Sequence, residues 1–388
     1  MRDLIPCYAP DFGQEERMAV MQHLATAQFI TAGPWVDKFE REFAKRLGRQ
    51  YGVMTNSGSS SILIAVKAMG WPAGTEVATP ALTFPTDVAA LVNLGMVPVF
   101  VDCFDTYNAD ANQLYDLSQK GIKAALLPHM FGIPLPEVVW TLFDKTVEDN
   151  CDALGTTING RMTGAFGTVS CHSFYPAHHI TTGEGGMCVT ANHDVYSTLF
   201  SLVSWGRDCY CRPGYDDSCG NRWGHKISGI DYDHKYIAKT CGFNLKPLEM
   251  CGILGRLQLN KLDKYAEIRK RNFEYLYKRL VDCEDAVKLP VMPSGADPSW
   301  FAFPIFLKKG DRTSVCKRIE ARGVQVRMPM AGNITLHPMM NGVPHRVPFG
   351  LDRSTEVMRQ TFLVGVNHTI TEEECEHIAK VVIEEISI

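Results

Sequence analysis

From residue 53 to about residue 190, short apolar segments alternate with helical ones, and this rhythm restricts the chain to few folds. VMTNSGSSSILIAVKAMG (53–70) reads as strand, tight turn and helix; TEVATPAL, PTDVAALVNLG and VPVFVDC repeat strand, helix, strand. AALLPHMFG, TVEDNCDALG, TVSCHSF and MCVTA add further strands. Such alternation predicts an α/β fold with a mainly parallel sheet and helices on both faces. Ligands of such sheets bind in the loops at the carboxyl ends of the strands. Helical periodicity also marks residues 14–28 and 35–48. Residues 204–236 break the pattern with a polar, aromatic, turn-rich insertion, a length of loop that compact domains keep for function. Residues 248–282 read as one long helix or two. They lead into a smaller α+β region with FAFPIFLKK and VQVRMPM as strands and TEEECEHIAKVVIEEI as closing helix. The expected division is a large domain over 1–250, carrying the insertion, and a linking helix with a small C-terminal domain over 251–388.

Composition narrows the class. The 388 residues are 45% apolar and 21% charged, ordinary for a soluble globular protein. A net charge of −4 gives no electrostatic case for nucleic acid. Apolar runs are interrupted by Gly, Pro or Asn short of a membrane-spanning length. MRDLIPCYAPDFG has no apolar export core, so a cytoplasmic location is expected. Thirteen cysteines, an odd number, argue against a complete disulfide framework.

Three motifs carry chemistry. NSGSSSILIAV (56–66) ends a strand in Ser-Gly-Ser-Ser before a helix, offering backbone N–H groups and hydroxyls to a phosphate. A Ser-rich N-cap alone is commonplace. VEDNCDALG (147–155) places acids at a strand end, where a carboxylate can pair with a protonated pyridine nitrogen or cap a helix. SFYPAHHITTGEGG (173–186) looks like a cofactor-anchoring loop without its lysine: no lysine lies between Lys145 and Lys226.

In this order, and with FITAGPWVDKFEREFA, TPALTFPTDVAALVNLGMVPVFVDCFDTYNAD, GFNLKPLEMCGILGRLQLNKLD and RMPMAGNITLHP, the chain resembles the sugar aminotransferases (DegT/DnrJ/EryC/StrS type) over nearly its whole length. These are pyridoxal-phosphate enzymes of fold type I. The resemblance implies that fold, with a large cofactor-binding domain and a smaller α+β one. By position, His178 stands where the family has its lysine. Asp149 should meet the pyridine nitrogen, Phe84 should stack on the ring, and Gly58, Ser59 and Ser173 should hold the phosphate. Asp152 falls where the family has Gln or His near the ring hydroxyl, a departure. Asn244 should reach the phosphate of the neighbouring subunit's cofactor, which implies a homodimer. Arg327 and Asn333 are weaker candidates for the substrate edge. Phe84 as a core residue and Asn244 as a turn residue are the plainer alternatives.

Histidine for lysine resembles the nucleotide-sugar 3-dehydratase branch of that family. Without the lysine the cofactor would be pyridoxamine 5'-phosphate, held noncovalently. An imidazole of ordinary pKa near 6.5 could then move protons while water leaves carbon 3 of an NDP-4-keto-6-deoxyhexose. Two outcomes occur in the branch. One releases a deoxy ketosugar and restores the amine with glutamate. The other reduces the product to a 3-deoxy sugar through a 2Fe–2S cluster and an NAD(P)H-dependent flavin/iron–sulfur reductase. Cys151, Cys209, Cys211 and Cys219, spaced C-x57-C-x-C-x7-C, are similar to the cluster pattern of the CDP-4-keto-6-deoxyglucose 3-dehydrases of ascarylose biosynthesis. A zinc clip is the competing use of the same cysteines. The other nine cysteines are expected to be small buried hydrophobes. A noncatalytic iron–sulfur sensor on the same scaffold is the rival of a different class.

Overall fold

The computed structural model describes residues 3–27, 30–211, 215 and 217–387. Helices α1 (Gln14–Thr26) and α2 (Pro34–Arg46) precede β1 (Tyr51–Thr55), α3 (Gly58–Ala68), β2 (Glu76–Pro80), α4 (Pro85–Asn93) and β3 (Val97–Val101). Then follow α5 (Ala111–Gln119), β4 (Ala124–Pro128), β5 (Lys145–Asp149), β6 (Thr157–Ile158), β7 (Arg161–Met162), β8 (Val169–Ser173), β9 (Gly186–Thr190) and α6 (His193–Val203). The insertion contributes a short hairpin, β10 (His225–Ile227) and β11 (Ile230–Tyr232). The rest comprises α7 (Glu249–Leu259), α8 (Leu262–Leu280), β12 (Val287–Lys288), β13 (Ala296–Asp297), β14 (Phe303–Leu307), α9 (Arg312–Ala321), α10 (Asp352–Gln360), β15 (Thr361–Val364) and α11 (Glu372–Ile386).

The large sheet has the order β1-β9-β8-β5-β4-β2-β3. Its pairs β3–β2–β4–β5–β8 are parallel, and β9 runs antiparallel to both β8 and β1. Strands buried on both faces need no alternation, which is why AALLP and GMCVT are apolar or small throughout. One face packs Ile62, Ala65, Leu91 and Leu199 from α3, α4 and α6 against Val147 and Val169. The other packs Leu114 and Leu117 of α5 against Val99 and Leu127. The second sheet, β12-β14-β15, is antiparallel and is covered by Phe273 of α8, Ile319 of α9 and Ile378 of α11. Helix α11 begins with a reciprocal cap between Thr371 and Glu374.

Two sequence expectations need correction. VQVRMPM is no regular strand. It is extended chain held by single bridges, Val324 to Ile5 and Arg327 to Leu363, and Pro329 supplies no N–H to continue a ladder. Not all nine remaining cysteines are buried: Cys241 is exposed and Cys251 and Cys283 are half-buried. The helical stretch 248–282 is two helices, parted at Asn260 and Lys261. Among the described residues no helix is long and apolar enough to cross a membrane.

Candidate active site

Parallel pairing brings the carboxyl ends of three strands level: Pro128 opposes Asp149, and Asp149 opposes Cys171. Together with the β1–α3 turn they surround a cavity of about 460 Å³. Ser57, Gly58 and Ser59 open α3 on its wall, and Ser173 ends β8 beside them. A Cβ on Gly58 would lie 2.6 Å from the Ser173 Cβ, so the close approach of α3 to β8 requires glycine. Free N–H groups of a first helical turn with serine hydroxyls around them suit a phosphate dianion.

Asp149 lies in the same cavity, 7% exposed, with one carboxylate oxygen accepting from the Cys151 backbone N–H at 3.0 Å. Burial pushes its carboxyl above the usual range. A protonated ring nitrogen is the complement such a buried acid calls for, so this donor set fits a pyridoxyl cofactor.

His178 lines the cavity, its ring tilted against Phe301 at 5.4 Å between centroids. Its Nδ1 is buried without a hydrogen-bond partner and lies 3.6 Å from Asp152 Oδ1. Burial, then the Arg269 guanidinium, lower the imidazole to about 4. Burial, then Asp149, push the Asp152 carboxyl well up. The lowered imidazole and the raised carboxyl both disfavour an ion pair between them. Arg269 is fixed by donating to the carbonyls of Trp300 at 3.0 Å and His178 at 3.2 Å. His179 is fully buried outside the cavity, its Nε2 hydrogen-bonded to the Ser299 carbonyl at 2.7 Å. The geometry therefore brings His178, and not its neighbour, to the site.

Of the other candidates, Phe84 is half exposed at the cavity wall. Asn244 is exposed, accepts from Lys246 Nζ at 2.5 Å and does not line its own chain's cavity. Arg327 lies outside the lining, its guanidinium 5.7 Å from the Tyr8 ring, which in turn sits 6.3 Å from Tyr175. Asn333 is buried, caps a short 3-10 turn through Thr335 and donates to Thr355; Met330 lines the cavity instead. Cys151 is in the cavity wall, whereas Cys209, Cys211 and Cys219 line a separate small recess of the insertion. The four thiols do not converge within one chain. Among the described residues no group of three or more His, Cys, Asp or Glu is arranged to hold a metal ion.

Sequence reasoning missed His129, Tyr175, Glu184 and Phe301, all in the lining. His129 Nδ1 accepts from the Leu135 N–H at 3.0 Å, so Nε2 carries the proton toward Glu148 at 2.9 Å. Glu148 also accepts from the N–H groups of Gly164, Phe166 and Gly167. Burial would raise its carboxyl, but His129 and these donors bring it below the usual range. The HM pair of AALLPHMFG, at a strand's carboxyl end, was the available signal for His129.

Comparison with known proteins agrees with this geometry. The chain is 36% identical over 395 residues to the lipopolysaccharide biosynthesis protein RfbH of Salmonella typhimurium, covering 97% of this chain and 90% of that one. It is 36% identical over 390 residues to dTDP-4-dehydro-2,6-dideoxy-D-glucose 3-dehydratase of Saccharopolyspora spinosa, covering 96% and 84%. The structure of E. coli GDP-4-keto-6-deoxy-D-mannose-3-dehydratase with bound hydrated PLP superimposes with a TM-score of 0.87 at 25% identity, over 97% of this chain and 98% of that one. Residues 10–383 match one family throughout, and the chain belongs to the DegT/DnrJ/EryC1/StrS aminotransferase family.

Proposed function

We propose that this chain is a pyridoxamine-phosphate-dependent dehydratase that removes the 3-hydroxyl of an NDP-4-keto-6-deoxyhexose. The observation that carries the reading is a neutral, cavity-lining His178 in the loop where aminotransferases of this type hold a lysine. The names of the relatives, two of them 3-dehydratases of 4-keto sugars, support the substrate class. In this reading Gly58, Ser59 and Ser173 hold the cofactor phosphate, Phe84 covers the ring and Asp149 meets the ring nitrogen. Asn244 serves the neighbouring subunit's site, in a homodimer. Residues 1–250 form the cofactor-binding domain and 251–388 the smaller one. When bound, the cofactor supplies a primary amine for the ketone and an aromatic ring that accepts charge. His178 Nδ1, unpartnered, would accept the proton given up by the cofactor methylene and pass one to the departing hydroxyl, so that the oxygen leaves as water. Asp152, its carboxyl pushed up by burial, lies 3.6 Å from that nitrogen.

The fuller reading adds a 2Fe–2S cluster on Cys151, Cys209, Cys211 and Cys219 and an NAD(P)H-dependent flavin/iron–sulfur reductase, giving a 3-deoxy sugar. Its support is the cysteine spacing and the grouping of the three insertion thiols. The position of Cys151, apart from those three in one chain, favours a second reading: a cluster-free dehydratase that regains its amine from glutamate.

Borohydride treatment followed by peptide mass spectrometry tests the main reading. The cofactor is expected to be released as free pyridoxamine phosphate with no protein adduct. A lysine-linked pyridoxyl peptide overturns it.

A further inference from the structure

We infer that Arg269 is a positioning residue for the dehydration: a buried guanidinium that fixes the backbone of His178, and that of the aromatic residue packed on its ring, so that the imidazole is aimed into the cavity. The inference rests on the reading of His178 as proton carrier. Arg269 does not line the cavity. It reaches in from α8 behind the wall and is 1% exposed. Its Nη1 donates to the carbonyls of Trp300 at 3.0 Å and Phe301 at 3.3 Å, and its Nη2 to the His178 carbonyl at 3.2 Å. The His178 N–H donates to the Tyr175 carbonyl at 3.0 Å, so both backbone polar groups of His178 are committed. No hydrogen bond at Nδ1 aims the ring; it lies against the Phe301 ring, 5.4 Å between centroids. One guanidinium therefore holds the carbonyls of both residues whose rings meet. His179 adds a second tie, its Nε2 hydrogen-bonded to the Ser299 carbonyl at 2.7 Å, so the 299–301 segment grips the His loop at two points.

A residue that only filled this space would be an expensive choice. The acceptors of Arg269 are all backbone carbonyls, its Nε is buried without a hydrogen-bond partner, and no ion pair compensates it among the described residues. Burial lowers it to about 10, with Asp152 acting the other way, so it stays charged at neutral pH. A well-packed apolar side chain of similar volume costs less than a buried charge of this kind. Departures from such local rules concentrate where a site needs them. The need here is geometric. A guanidinium is a planar fork that serves two directions at once, which the point charge of lysine does not reproduce. A proton carrier displaced by about 1 Å can lose roughly 10²-fold in rate, so a brace that touches no reacting atom still governs turnover.

Arg269→Lys keeps the charge and loses the fork, and a double-mutant cycle with His178→Asn tests the role. In pyridoxamine-phosphate-loaded protein, kcat for dehydration of an NDP-4-keto-6-deoxyhexose should fall by about 10²-fold, with KM and cofactor affinity little changed. Added to His178→Asn, the same substitution should remove nothing further from the residual rate, because it acts through that imidazole. An equal second loss in the double variant, or KM and cofactor affinity worsening along with kcat, makes Arg269 merely structural and overturns the proposal. An undiminished kcat in Arg269→Lys does the same. Wild-type activity in His178→Asn overturns the proposed function instead. The cofactor-free protein, with ¹³C-labelled histidine, gives a readout independent of turnover. The His178 ring signal, assigned by its absence from His178→Asn, should shift in Arg269→Lys while the His179 signal holds its place. A His178 signal that does not move contradicts the proposal. Should Arg269→Lys fail to fold, Arg269→Gln is read by the same measurements.

Discussion

His178 and His179 are adjacent, the first half-buried in the cavity wall and the second fully buried, and they should fail differently when replaced. His178→Asn removes the proton carrier from a cavity wall, where its Nδ1 has no hydrogen-bond partner to lose. Turnover should fall by roughly 10²–10⁴-fold with the fold and bound cofactor retained, as followed by initial rates and circular dichroism. His179→Asn breaks the hydrogen bond to the Ser299 carbonyl in a fully buried setting. It should cost about 1–3 kcal/mol in denaturant unfolding. If His179→Asn is the inactive, stable variant, the loop register is wrong by one. Burial also makes the protein acid-sensitive. It lowers His178 to about 4 and His172 and His368 to about 3, against 6.5 for the free group. Below pH 6.5 the unfolded chain binds protons that the folded chain refuses, so stability is full above that pH and falls as pH drops toward 4. Each such histidine contributes a slope approaching 1.4 kcal/mol per pH unit, about the worth of one pKa unit. Tm measured from pH 7.5 to pH 5 should therefore fall, and a flat profile contradicts the buried neutral assignment.

At the scale of elements, Gly58 is where α3 packs directly against β8 at the site. Gly58→Ala pushes a methyl into the Ser173 side chain, so α3 and β8 must part. Cofactor affinity should weaken by about 10-fold or more, an effect of roughly 1–3 kcal/mol, read by fluorescence titration. Much of the element order was legible, because fully apolar runs such as AALLP and VPVFV between turn signals admit few other uses. Strand direction was not: GMCVT is buried on both faces, and nothing in such a run says that β9 enters antiparallel. VQVRMPM carried a strand's composition, but single bridges on either side and Pro329 left it extended chain.

At the scale of the molecule, motifs located the cavity because the Ser-Gly-Ser-Ser turn, Asp149 and the His loop each lie at a strand end beside it. Cys151 showed the limit of spacing. Separation along the chain cannot tell a ligand in the same subunit from one across an interface, and in this fold Cys151 and the insertion thiols occupy different recesses. The exposed aromatic face of the insertion predicts a dimer, to be measured by light scattering on the 43.2 kDa chain; a monomer at micromolar concentration contradicts it. The central claim is that His178, with a noncovalent amine cofactor, drives loss of water from carbon 3. Its most direct test is solvent ¹⁸O exchange into an NDP-4-keto-6-deoxyhexose by pyridoxamine-phosphate-loaded protein, without reductase. The label should enter carbon 3 with the wild-type protein and fail to enter with His178→Asn. Undiminished exchange by His178→Asn, or none by the wild-type protein, would contradict the account.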